Sequence, residues 1–145
     1  MGIESVSYRF DSPNASYPDL LEWLSSRGSH PGERDRTFVL SELDFWIDLS
    51  VRSGSDGLDI QFRVAVTNPP SVITVMHEVL VDLITRFGGR VTDAPRRRTI
   101  AEADLLDTMR VEFGAARSRF TDVYGEVILP VSGGEVFSRL RAEFG

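Results

Sequence analysis

Between Val39 and Val66 apolar and polar residues alternate almost strictly, and no other feature limits the fold so sharply. Val39, Leu43, Phe45, Ile47, Leu49 and Val51 fall on one face, with Glu42, Asp44, Trp46 and Asp48 on the other. A period of two belongs to a β-strand, whose successive side chains point to opposite faces. Ser53-Gly-Ser-Asp-Gly57 is a turn cluster. After it Leu58, Ile60, Phe62, Val64 and Val66 alternate with Asp59, Gln61, Arg63 and Ala65. The expectation is a long antiparallel hairpin with one dry face and one polar face.

The flanking segments supply partners for that hairpin. Val6, Tyr8 and Phe10 alternate with Ser5, Ser7 and Arg9 as a first strand. A short helix is expected from Pro18 to Arg27, with Leu20, Leu21 and Leu24 as its core stripe and Gly28 as its stop. Asn68-Pro-Pro-Ser71 reads as the capped start of a second helix. Its apolar positions run from Val72 through Val79, Leu80 and Leu83 to Phe87, with an outward Asp82–Arg86 pair. Gly88-Gly89 ends it, and Arg90–Asp93 is a candidate fourth strand.

The order over the first 93 residues is thus β-α-β-β-α-β, the split βαβ or ferredoxin-like arrangement of an α+β protein. It sets two helices on one face of a four-stranded sheet and leaves the other open. Residues 94–145 read as a C-terminal extension packed on that core, within one domain of residues 1–145. Thr99-Ile-Ala-Glu102 and Ser132-Gly-Gly-Glu135 have the capping-box pattern. They predict helices over 100–120 and after residue 135, with a fifth strand over Val123–Leu129 between them.

Composition removes several chemistries. There is no Cys, hence no thiol nucleophile or thiolate metal site, and the two His are His30 and His77. All 16 basic residues are Arg, which excludes lysine-based catalysis, and a formal net charge of −6 argues against wholesale duplex nucleic-acid binding. No apolar run approaches the ~20 residues of a membrane span, and the N-terminus lacks a signal-peptide pattern, so a cytoplasmic protein is expected. Walker, Gly-x-Gly-x-x-Gly, Gly-x-Ser-x-Gly and His-Glu-x-x-His patterns are all missing. No cofactor or metal is expected.

The row Glu42, Asp44, Trp46, Asp48 stands out. On one strand face these side chains are spaced about 6.5–7 Å apart, and Arg63 on the partner strand is placed to pair with Asp48 or flank Trp46. The plain reading is a solvated sheet face. The functional reading is an aromatic anchor among acids that steer a basic protein partner, as in a toxin-neutralising immunity or antitoxin-type protein. A ligand-binding regulatory domain, with a pocket between sheet and C-terminal helices and a homodimeric state, is the alternative. An enzyme with a carboxylate site is a further one.

Overall fold

The computed structural model describes residues 4–54 and 57–144. Ser55 and Asp56, the middle of the expected turn, lie outside the described residues. Among those described, the chain is mixed α+β, with four helices and one open antiparallel sheet of seven strands. The strands are β1 (Ser5–Ser12), β2 (His30–Pro31), β3 (Thr37–Glu42), β4 (Phe45–Gly54), β5 (Gly57–Ala65), β6 (Arg90–Asp93) and β7 (Arg98–Ile100). The helices are α1 (Tyr17–Ser26), α2 (Val72–Phe87), α3 (Glu102–Tyr124) and α4 (Val136–Phe144), the last entered through a 3-10 turn at Gly133–Glu135.

The sheet order is β2-β3-β4-β5-β1-β6-β7. The strands expected from sequence occupy its centre, and β2, β3 and β7 extend it on both sides. The largest departure lies in the alternating stretch. The expected strand through Val39–Val51 is two strands, folded back at a tight turn on Leu43-Asp44, with Glu42 opposite Phe45 and Leu40 opposite Ile47. Neither turn residue has a positive φ, and the Asn-Gly or Asp-Gly signal of a two-residue hairpin is absent.

A two-residue turn pairs odd positions with even ones, so the faces exchange across it. Val39 lies opposite Asp48 on the polar side, and Glu42 shares the side of Phe45 rather than that of Trp46. Leu43, expected in the core, is 100% exposed.

The dry face matches the pattern elsewhere. Tyr8, Phe10, Ile47, Leu49, Ile60, Phe62 and Val64 are buried in one cluster with α1, α2 and α3. In α1, Ser16 caps the helix by accepting from the Asp19 amide at 3.3 Å. Trp23 is buried there, whereas Leu21 is largely exposed. Asp82 is held chiefly from α1, with the expected Arg86 contributing only a weaker charge interaction. It accepts from Trp23 Nε1 at 2.8 Å and from Arg27 Nη2 at 2.7 Å, tying α1 to α2. The Arg27 bond, then the Trp23 bond, hold its carboxyl below the usual range. Gly88 ends α2 at φ 68°, a left-handed conformation that costs a residue without Cβ little.

Three expected caps are absent. Ser71 rather than Asn68 flanks α2, Thr99 lies in β7, and neither Ala101 nor Ser132 makes a side-chain cap bond. The expected strand over Val123–Leu129 is instead the last residues of α3 followed by an extended segment outside the sheet. That segment carries the chain around the end of the sheet. The Leu129 amide donates to Thr67 O and Thr67 Oγ1 donates to Leu129 O, both at 2.7 Å. Beyond it Val131, Gly133 and Val136 are buried. Phe137 of α4 packs on Phe120 and Tyr124 of α3, with centroids 6.3 and 5.2 Å away.

Candidate functional site

Of the five residues singled out from sequence, the structure brings three together. Trp46 and Asp48 are two residues apart on β4, and Arg63 of β5 is the direct cross-strand neighbour of Asp48. All three are half-buried. Trp46 Nε1 donates to Asp48 Oδ1 at 2.9 Å, and the Gly133 amide donates to Asp48 Oδ2 at 3.2 Å. Arg63 neither pairs with Asp48 nor flanks Trp46 through a hydrogen bond. Its guanidinium donates to Ser5 Oγ at 2.9 Å and Glu4 Oε1 at 3.1 Å.

Gly133 lies directly on that guanidinium. A Cβ there would stand 2.6 Å from Arg63 Nε, so any larger residue would displace the guanidinium. The 3-10 turn therefore covers this end of the polar face, which sequence left undecided. Asp48 ties the sheet to the C-terminal segment, and Arg63 ties β5 to Glu4 and Ser5 at the start of β1.

The uncovered part of the face is charge-balanced. Arg9 bonds Asp59 with both nitrogens of a fork, at 3.0 and 2.5 Å, and Arg90 pairs with Asp11 at 3.2 Å. Ser50, Arg52 and Gln61 stand exposed around them. Exposed pairs of this kind contribute little stability, and they leave no acidic field on the sheet itself.

The other two residues, Glu42 and Asp44, flank Leu43 at the β3–β4 tip, all three exposed. Half-buried Phe45 and Trp46 form the root of this hairpin. The root is fixed by Asn68, which is fully buried. Its Oδ1 accepts from the Trp46 amide at 2.9 Å and its Nδ2 donates to Ala65 O at 2.9 Å.

Arg117 of α3 joins the same knot, donating to Val66 O at 2.7 Å, Asn68 O at 2.9 Å and Val127 O at 3.5 Å. The hairpin and the segment after α3 are thus anchored on neighbouring residues. At this end of the molecule Leu43, Ile128 (53%) and Tyr124 (46%) expose apolar surface, and Glu42, Asp44 and Glu126 are exposed too.

Sequence reading missed Thr67, Asn68 and Arg117. Asn68 before two prolines has the form of a helix cap, which hides its longer-range role. It also missed a second polar cluster, at the far edge of β1. There Tyr8 OH donates to Glu112 Oε1 at 2.7 Å, and Arg96 Nη1 lies 3.4 Å from Glu112 Oε2. Asp93, 4% exposed, is the cross-strand neighbour of Tyr8. The one signal for it was Gly114-Ala115-Ala116, small residues in mid-helix that leave space beside α3.

Among the described residues no three or more His, Asp or Glu are grouped to hold a metal ion, and no helix is long and apolar enough to cross a membrane. No family model, no curated protein and no solved structure matches the chain.

Proposed function

We propose that this protein is a non-catalytic interaction module that binds a basic protein partner through the β3–β4 hairpin tip and the apolar surface beside it. A fully exposed leucine between two exposed carboxylates carries the reading. Leucine at full exposure has no folding role, and exposed apolar surface edged by charge is the usual composition of a docking site. Glu42, Asp44 and Glu126 steer a cationic partner, and Leu43, Tyr124 and Ile128 provide area to bury. The net charge of −6 acts in the same direction at longer range.

A toxin-neutralising immunity or antitoxin-type protein is the concrete form we propose. For the scaffold we propose a ferredoxin-like unit of β4-β5-β1-β6 with α1 and α2, extended at both edges, in one domain with the C-terminal segment. The contact sits at the hairpin tip rather than over the open sheet, because the Arg9–Asp59 and Arg90–Asp11 pairs neutralise the sheet surface.

The test is affinity capture from lysate of the native host with wild type, Leu43→Asp and Asp44→Arg, followed by titration of the purified prey. Both variants change exposed tip residues, so their melting temperatures stay within about 2 °C of wild type. A basic protein bound by wild type and weakened at least about tenfold by each variant supports the proposal. Equal binding by all three baits, or no capture by any, overturns it.

A further inference from the structure

β6 pairs with β1 only from Tyr8 to Asp11, so Ser5–Ser7 have no strand beside them on that edge. One backbone bond, Ala94 N to Ser7 O at 3.4 Å, bridges the gap. α3 runs past it between Glu112 and Arg119, leaving a cleft of about 330 Å³. Small-molecule sites begin at roughly this size.

The lining has two characters. Val6, Pro95, Ala115 and Ala116 make an apolar wall. The polar side chains are Tyr8, Asp93, Arg96, Glu112 and Arg119, while Ser5 and Ser7 edge the cleft from a strand whose odd-numbered side chains stand on the other face of the sheet.

One of those groups is left without a partner. Arg119, exposed at the cleft, makes no hydrogen bond or ion pair with any described residue. Arg96 is already engaged by Glu112, and Tyr8 by the same carboxylate.

The cleft therefore holds a carboxyl pair, Asp93 and Glu112, and a free guanidinium fork within one small volume. A simple anion placed there meets Asp93 and Glu112, and a simple cation meets Arg96 and Arg119. A molecule carrying both charges a few ångströms apart satisfies both sides. We propose that this cleft binds a free α-amino acid with a short apolar side chain. Its carboxylate lies on Arg119, its ammonium on Asp93 and Glu112, and its side chain against Val6, Ala115 and Ala116. Planar guanidinium–carboxylate pairing and charge-assisted bonds to the ammonium supply selectivity, and the narrow apolar wall limits side-chain size.

The experiment is calorimetric titration of the full chain with each of the twenty amino acids up to about 10 mM, a concentration that detects millimolar affinity. For each binder the amine lacking its carboxylate and the acid lacking its amino group are titrated in parallel. The expected result is binding of at least one small apolar amino acid, with both single-charge analogues at least about tenfold weaker. Arg119→Gln, a substitution at an exposed residue with no hydrogen bond or ion pair among the described residues, loses at least about tenfold in affinity while its ligand-free melting temperature is unchanged. Ala115→Leu, which fills the apolar wall from an exposed position, weakens the same ligand and serves as the second variant. Absence of heat for all twenty, equal binding of a single-charge analogue, or wild-type affinity in Arg119→Gln overturns the proposal.

Discussion

Glu112 shows at residue scale how position sets chemistry. A carboxyl beside the buried stripe of α3 is drawn against Tyr8 and Asp93 by the packing of α3 on β1. Burial, then the Asp93 carboxyl, push its pKa above the ordinary 4.5. Burial, followed by the bond to Glu112, likewise pushes the Tyr8 hydroxyl far up, so it remains a proton donor at any working pH. The folded chain then holds the Glu112 proton more tightly than the unfolded chain does. Its contribution to stability is fully present below pH 4.5 and is lost as pH rises through the folded value. Glu112→Gln keeps an oxygen acceptor for Tyr8 and removes the titration. Its melting temperature should exceed wild type by about 2 °C near pH 7 and by nothing near pH 4. A temperature difference that stays flat between those conditions would show that Glu112 bears no such penalty.

The hairpin of β3 and β4 is the element whose outline the sequence blurred. Alternation alone is the same for one long strand and for two strands joined by a tight turn without glycine, because the apolar–polar period runs on through Leu43-Asp44. The turn is located by what its ends meet: Asn68 holds the Trp46 amide, and Ser41 pairs with Trp46 across the ladder. Asn68→Ala leaves that amide without its acceptor in a buried setting and releases one of the bonds to Ala65 O. The expected cost is about 1–3 kcal/mol in chemical denaturation. A cost below about 0.5 kcal/mol would show that the hairpin root is held by other means. The acidic row fell apart for the same reason. Two of its members went to the tip, while Trp46 and Asp48 became structural ties beneath Gly133.

Across the whole molecule the core is one cluster that joins β1, β4 and β5 to α1, α2, α3, Val131 and Val136. Residues after 93 are therefore not a detachable appendage. Urea unfolding followed by tryptophan fluorescence and by far-ultraviolet circular dichroism should give coincident single transitions. Removing residues 132–145, which takes the Gly133 cover off Arg63 and Asp48, should lower the midpoint without splitting the curve. Two separated transitions in the full chain would contradict a shared core. The sequence by itself determined the α+β class, the dry face of β1, β4 and β5, the stripe of α2 and its glycine stop. These follow from local periodicity and backbone preference, which a single chain displays openly. Only the tertiary structure decided the reversal at Leu43-Asp44, the short outer strands, the cover over Asp48 and Arg63, and the meeting of Tyr8, Asp93 and Glu112. Apart from the short outer strands, which pair with near neighbours in the chain, each depends on residues 22 to 104 positions apart, joined by hydrogen bonds whose donors and acceptors look ordinary in the sequence. No periodicity encodes them, and the partner that makes each one specific is fixed only when the sheet closes.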